Sequence, residues 1–462
     1  MEKYDVAIVG GGIAGLVSGA ILAKRGKKVI VFEKEKILGG RAKTVPYQGY
    51  TLNTGGTLLE DPGSGLMKIY EYVGKTLEIG RTNEEMPVWR DGKWCSVRDL
   101  YSADRHDLKA IIKELEATDF SELEKYDDIP LRTWLLKRTK SQGIIDLFEF
   151  LAMLECITHH WYDHVASDNL FVRKMHYQER HRAGWSYWPK GGYQNLFTML
   201  EEAIKENGGE VHPSSKINRV VIEDYQLKGV EVERGEKIMP NQVMDKEFVA
   251  ADHVVSTVPI WNVLDIVNEN HLPEWYVNNI RMLAQDKNRV TWLGLYMASD
   301  EPIYAIQPRE LCAWEKGPKT GLAGWGFMDS SLQPDVAPQG KHLFVCGACT
   351  DAQQMKDKDW VGRTYDLFES ELEEMFPQTR HAIWKLRHLS YGAMTFQVTQ
   401  KPGMVGIFRP HFIAPTVPGL YFASDTFRSR GIGVDRSARA GLTAAENILG
   451  EPLPGMEGTW RY

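Results

Sequence analysis

Along the first forty residues the pattern of apolar and polar positions changes period twice. Tyr4 to Val9 is a nearly unbroken apolar run, too short for a globular helix, and reads as a strand buried on both faces. Ala14 to Lys24 carries a helix, Gly26 stands where a helix C-cap is expected, and Lys28 to Phe32 forms a second buried strand. Further on, Leu66 to Val73 is a short helix, and the stretch around Asp91-Gly92 is a hairpin whose turn residues permit positive φ. Helical patterning runs over 107–138 and 143–161, where Leu147, Phe148, Leu151, Leu154 and Cys156 crowd an apolar face.

Trp188-Pro189-Lys190-Gly191-Gly192 then opens an amphipathic helix over Gln194 to Glu206, closed by Gly208-Gly209. Lys216 to Glu223 and Gly229 to Glu233 follow as paired strands, and Val249 to Pro259 is another buried strand. Strands over Val290 to Met297, Leu311 to Trp314 and His342 to Cys346, with a helix over Thr364 to Met375, mark a second, sheet-based excursion. The chain closes with an apolar strand ending at Asp425, a glycine turn, and a helix over Ser437 to Leu449.

Between the first strand and helix, Gly10, Gly12 and Gly15 fit G-x-G-x-x-G. The first permits a tight turn, the second lets backbone approach a pyrophosphate, and the third lets helix and strand pack closely. Glu33 closes the second strand about 20 residues beyond the glycines, where an acid bonds a ribose hydroxyl. A dinucleotide is therefore expected.

Composition narrows the class. With 462 residues, 43% hydrophobic and 25% charged, the chain is long enough for two or three domains and is not of disordered composition. A net charge of −7 and a pI near 6.1 argue against a nucleic-acid partner. Five cysteines in this length make no disulfide framework, Met1-Glu2-Lys3 leaves no room for a signal peptide, and no apolar run could span a bilayer, so a cytoplasmic location is expected, with peripheral membrane contact left open. Fourteen tryptophans, among them Trp161, Trp185, Trp188, Trp261, Trp275, Trp292, Trp314, Trp325 and Trp360, suit a large apolar ligand as well as core packing.

Other features invite and then lose a chemical reading. His159, His160 and His164, with His176 and His181, are dense, but no Glu completes H-E-x-x-H, so no metal is expected. Cys346-Gly347-Ala348-Cys349 is either a redox pair beside a cofactor or a strand end. Gly321, Gly324 and Gly326 have no strand running into them and no helix after, so a second dinucleotide is not expected.

Leu38-Gly39-Gly40-Arg41 resembles the GG-R signature of FAD-dependent oxidoreductases. Pro189-x-Gly-Gly, a helix, Gly208-Gly209, a hairpin and then Ala251-Asp252-x-Val-Val-Ser-Thr-x-Pro259 resemble the phytoene desaturase and amine oxidase superfamily of FAD proteins. Gly419, Leu420, Tyr421, Ala423 and Asp425, then Gly431, Gly433, Val434, Ala440, Gly441, Ala444 and Ala445, are similar to its C-terminal flavin motif.

The resemblance implies an α/β fold: a Rossmann-like FAD-binding domain of the glutathione reductase type, with an inserted mixed sheet and helical substrate domain. The FAD-binding domain is expected over 1–80, 185–265 and 411–462, the helical insert over 81–184, and the substrate domain over 266–410. The implied cofactor set is Gly10, Gly12, Ala14, Gly15, Glu33, Lys34, Gly40, Arg41, Gly55, Gly56, Val220, Val221, Pro259, Asp425, Gly433 and Val434. Arg41 would face the pyrophosphate, Val220 or Val221 the adenine, and Asp425 the ribityl or phosphate side. With no cysteine near residue 425 to tether it, FAD is expected to be non-covalent.

The implied activity is an FAD-dependent oxidoreductase, a desaturase or dehydrogenase, that takes hydride from a hydrophobic substrate to leave a C=C bond. A flavin amine oxidase, a redox-neutral isomerase and a lipid or prenyl carrier of the same fold are the alternatives, and the electron acceptor stays open. Where the family has small or acidic residues after its G-x-G-V, this chain has Asp435-Arg436, near Arg428, Arg430 and Arg439. Arg436, with Arg430, is therefore expected to face the catalytic cavity and bind negative charge, on the substrate or the reduced flavin.

Overall fold

The computed structural model describes residues 3–55, 59, 65–82, 85–100, 105–156, 163–178, 187–235, 244–431 and 433–456. The strand Lys3–Val9 lies in the interior of a seven-stranded sheet, parallel to Val29–Phe32 on one side and to Lys246–Ser256 on the other. Its side chains alternate between two cores. Val6 and Ile8 join one core with the helices Ile13–Lys24, Tyr193–Glu206 and Gly433–Leu449, while Ala7 and Val9 join another with the helix Glu274–Ala284. A sheet covered on both faces reads as a continuous apolar run, which is why the pattern shows no alternation.

Leu420–Phe422 and Glu210–His212 extend the parallel part, and the hairpin Ser215–Glu223/Gln226–Arg234 adds on antiparallel beside Lys246–Ser256. The second sheet has eight strands around Arg289–Ser299, which is buried along its whole length and pairs antiparallel with His342–Asp351 and Trp384–Ser390. The hairpin Pro87–Arg90/Lys93–Ser96 turns at Asp91 (φ 52°) and Gly92 (φ 76°) and joins this second sheet through Val88 and Ala313. It is thus part of the sheet rather than of the helical region.

The helices Arg105–Ala117, Leu131–Leu136, Gln142–Cys156 and Ala166–Gln178 share a core of their own. The pattern over 107–138 is split: a short 3-10 turn over Phe120–Tyr126 follows the first helix, and Pro130 caps the next one. Phe150 and Met153 face the second sheet, in contact with the core that holds Val88 and Ala313.

Ser18 Oγ donates to the carbonyls of Ala14 and Gly441, each at 2.9 Å, so the first and last helices run in close contact. A Cβ on Gly441 would overlap the Ala14 carbonyl, a backbone atom that cannot swing aside. Gly441→Ala is expected to force the two helices apart at a cost of about 1–3 kcal/mol. Thermal unfolding measures this, and an unchanged midpoint would mean that the contact yields freely.

Candidate functional site

Val9 pairs with Phe32 and with Ser256, and Ser256 pairs with Phe422. The residues that follow, Gly10, Glu33, Thr257 and Ala423 to Asp425, therefore converge at the carboxyl edge of the sheet, where open α/β sheets take ligands. Gly10 adopts φ 108°, and a Cβ there would overlap the Thr257 hydroxyl, which itself donates to the Val9 carbonyl at 3.0 Å. A Cβ on Gly15 would overlap the Gly10 carbonyl. Gly12 differs, since nothing lies within 4 Å of where its Cβ would be. The start of a twelve-residue helix is thus open to an anion.

Glu33 is buried, and its carboxylate accepts from Gly11 N at 2.8 Å and Glu35 N at 2.9 Å. Burial pushes its pKa up, and the two backbone donors oppose that. A carboxylate has about four acceptor positions, so capacity is left for ribose hydroxyls. Lys34 beside it is exposed.

The second glycine turn lies on the first: Gly39 N donates to Gly11 O at 2.9 Å, and a Cβ on Gly40 would sit 3.4 Å from Gly12 Cα. It delivers Arg41, whose guanidinium pairs with Asp425 and donates to the Phe396 carbonyl. Burial works to raise the Asp425 pKa, and Arg41, with Arg436 and Arg409 behind it, outweighs that and holds it below the usual carboxylate range. A Cβ on Gly55 would overlap the Arg41 carbonyl, and Gly56 lies outside the described residues.

At the other end of the chain the helix Gly433–Leu449 begins at an exposed glycine (φ 55°) with no atom near its missing Cβ. A helix start of this kind carries orphan N–H groups and a positive dipole end. Val434 is half-buried against the core that holds Val6 and Ile8, and Ala14 packs at the helix crossing. Pro259 precedes Ile260, whose N–H donates to Thr426 Oγ1 at 2.8 Å and ties this loop to the Asp425 turn.

Val220 is a core residue paired with Val230, and Val221 is the next residue along the same strand. The hairpin residues that reach the Glu33 turn are Ser214 and Ser215, whose N–H groups donate to Glu35 O at 3.0 Å and Glu33 O at 2.7 Å.

Arg430 and Arg436 are each 1% exposed, so neither lines open space. Arg430 donates to Asp127 at 2.7 Å, Asp168 at 3.1 Å and Ser167 at 3.1 Å. Arg436 donates to Ser429 Oγ and O at 2.9 and 2.8 Å and stands 3.6 Å from Asp168. The negative charge these arginines meet belongs to the chain's own helical insert, which corrects the expectation of a cavity-facing pair.

Cys346 and Cys349 stand on one strand three residues apart, which turns them to opposite faces. Cys346 packs with Cys312 and Leu295, Cys349 with Trp292, and burial pushes both thiols up, so they are no redox pair. His164 is buried with no partner on either ring nitrogen among the described residues, and burial lowers its pKa to about 4. His159, His160 and His181 lie outside the described residues.

Several neighbours of the site carry no local signal. Trp261 has the guanidiniums of Arg41 and Arg289 at 5.7 and 5.0 Å from its ring. Buried Arg409 donates to Asp425 O at 2.7 Å and Val398 O at 3.2 Å. Next to the Phe396 carbonyl held by Arg41, the Trp292 ring lies 4.6 Å from Trp325 and 5.8 Å from Phe396, forming a small aromatic cluster with Val290 and Cys349.

The open Gly12, the spare acceptors of Glu33, the Arg41–Asp425 pair and the exposed start of the last helix fit FAD: an acid for ribose, a turn for pyrophosphate, and a dipole end for the flavin ring. The sequence model of the flavin-containing amine oxidoreductases matches residues 13–449. The chain belongs to this family. It is an FAD-dependent oxidoreductase with FAD as its cofactor.

Family relatives include a 4,4'-diapophytoene desaturase of Methylomonas, 26% identical over 52% of each chain, so that this chain spans about half of that relative. A 4,4'-diapolycopen-4-al dehydrogenase of Metabacillus indicus is 24% identical over 92% of this chain and 93% of its own. In fold, the chain is similar to an oxidoreductase of Methanosarcina mazei, with a TM-score of 0.72 at 19% identity, covering 96% of this chain and all of that one. No helix among the described residues is long and apolar enough to cross a membrane.

Asn53, which leads into the Gly55 turn, donates to buried Asp329 at 3.2 Å, and Gln333 Nε2 donates to the same carboxyl at 3.1 Å. Burial pushes Asp329 from 3.8 up to about 7. An acid whose native pKa lies above its unfolded value binds its proton more tightly when folded, so it makes stability fall as pH rises from about 4 to about 7. Asp329→Asn, which mimics the protonated acid, is expected to flatten that decline and to exceed the parent's stability at pH 8. Glu149, also raised to about 7, leaves a residual slope. A urea-unfolding series across this window checks it, and an unaltered slope would remove Asp329 from the account.

Proposed function

We propose that this chain oxidises a hydrophobic small molecule, taking hydride from a carbon and leaving a C=C bond. The observation that carries the reading is the cluster of Trp292, Trp325 and Phe396 with Val290 and Cys349, set beside the Arg41 contact to Phe396. Bound FAD supplies the hydride acceptor. The chain's part is to lay an apolar substrate on these rings, orient one carbon, and keep water away.

Arg41 and Arg289, which flank the cluster, have their carboxylate partners Asp425 and Asp286 already engaged. That setting favours an uncharged substrate over a protonated amine. The names of the relatives, a desaturase and a dehydrogenase of long polyenes, support the same reading. Since Arg430 and Arg436 are engaged by Asp127 and Asp168, an anionic group on the substrate is not required.

Purified protein is expected to be yellow and to release its FAD on acid precipitation. Under anaerobic conditions a polyene substrate should bleach the flavin, and Trp292→Ala should raise KM for it about tenfold or more while FAD content holds, the loss expected for a large buried ring. Bleaching by amines but not by polyenes would move the assignment to amine oxidation. Isomerised polyene with the flavin left oxidised would move it to a redox-neutral isomerase, and a flavin-free protein holding a lipid would make it a carrier. Reoxidation of the bleached protein by oxygen or a quinone identifies the electron acceptor.

A further inference from the structure

The helical insert and the flavin-facing turn are joined by four buried charges. Asp127 and Asp168 come from the insert, and Arg430 and Arg436 from the segment that ends in the last helix. Each of the four is about 1% exposed or less. Asp127 lies 2.6 Å from Arg430, and its carboxylate also accepts from Ile407 N at 3.0 Å. Asp168 takes Arg430 on one oxygen at 3.1 Å and faces Arg436 with the other at 3.6 Å.

The arginines pass this placement to the backbone. Arg436 Nη2 donates to Ser429 O at 2.8 Å and Nη1 to Gly431 O at 3.3 Å, so two carbonyls of the turn are drawn inward. Because the peptide unit is planar and trans, fixing the Ser429 carbonyl inward turns the Arg430 N–H the opposite way. Gly431 lies two positions before Gly433, the exposed first residue of the helix.

Stability does not account for this choice of residues. Taking four ions out of water costs several kcal/mol each, and apolar replacement of such groups is often neutral or stabilising. Arg436 also sits in the first turn of a helix, where the dipole disfavours a cation. What charged, multidentate pairs supply is direction.

We propose that Asp168 and Asp127 are positioning residues of the flavin site: by fixing Arg430 and Arg436 they orient the Ser429 to Gly433 turn, and through it the helix N-terminus presented to FAD. The inference rests on the flavin assignment. It also gives the two arginines a role that acts through the backbone rather than through direct contact with substrate.

The test compares wild type with Asp168→Asn, Asp127→Asn and the double variant Asp168→Leu/Arg436→Leu. Three quantities are read: the FAD dissociation constant from flavin fluorescence, the midpoint potential of bound flavin by dye equilibration, and thermal unfolding of the FAD-free protein. Asp168→Asn should weaken FAD binding about tenfold or more, as expected for loss of a charged hydrogen bond, and displace the potential. Asp127→Asn should act in the same direction.

The double leucine variant leaves no unpaired charge, so it should unfold near the wild-type temperature yet keep the weakened affinity and displaced potential. Should Asp168→Asn fail to fold, the double variant carries the test. A folded double variant with wild-type affinity and potential overturns the proposal and leaves the network as a tie between insert and turn. A wild-type protein that binds no FAD overturns the proposal together with the flavin assignment, a result distinguishable from the first.

Discussion

A carboxylate withdrawn from water at the end of a buried strand is costly unless it is paired or hydrogen-bonded, and Asp425 depends on a cation. Arg41 meets that requirement from the far end of the chain, and much of the site's geometry follows. Arg41 can reach Asp425 because the second glycine turn lies on the first, and the chain passing Arg41's carbonyl can come close only at a residue without a Cβ, Gly55. The same guanidinium holds the Phe396 carbonyl, which brings a strand end of the second sheet up to the nucleotide sheet. One pairing thus gathers the N-terminal turn, the C-terminal turn and the aromatic cluster.

How much of this was readable beforehand depended on sequence separation. The first strand, helix and second strand are local, their apolar runs and glycines lie within forty residues, and their limits fell within a residue or so of those observed. A dinucleotide site was legible for the same reason, while FAD and the oxidoreductase class came from the resemblance of the Leu38-Gly39-Gly40-Arg41 and 419–445 motifs to a known family. Partners set by tertiary contact were not legible. Nothing near Arg436 in sequence announces Asp168, and nothing near Arg41 announces Phe396 or Trp261. Of the two readings open for the C-x-x-C pattern, the strand is the one observed, and its alternation sends the two thiols apart. The hairpin at Asp91 was readable as a hairpin, but the sheet it joins is decided by Val88 meeting Ala313, more than two hundred residues later.

The largest fully buried arginines gather around one turn. Arg409, Arg430 and Arg436 are among the largest fully buried side chains, and all three reach carbonyls or carboxylates around the turn between Asp425 and Gly433. The aromatic cluster, by contrast, is assembled from uncharged groups on the second sheet and the Phe396 segment. The nucleotide side of the molecule is therefore held by directional bonds between buried charges and carbonyls, and the Trp292 cluster by apolar packing.

The pairing of Lys3–Val9 with Lys246–Ser256, and of the latter with Leu420–Phe422, has a consequence for how the molecule is made. At translation rates of about 5–20 residues per second, the first strand waits on the order of ten seconds or more for its inner neighbour and longer for the strand beyond it. Through that interval Val6 to Val9 form an apolar sheet edge supported only by the Val29–Phe32 pairing and the first helix, the kind of edge that recruits other chains. During synthesis this edge is left without its inner neighbour, and a chain halted before residue 420 would carry the most recognisable nucleotide motif in the sequence without the half-site that completes it.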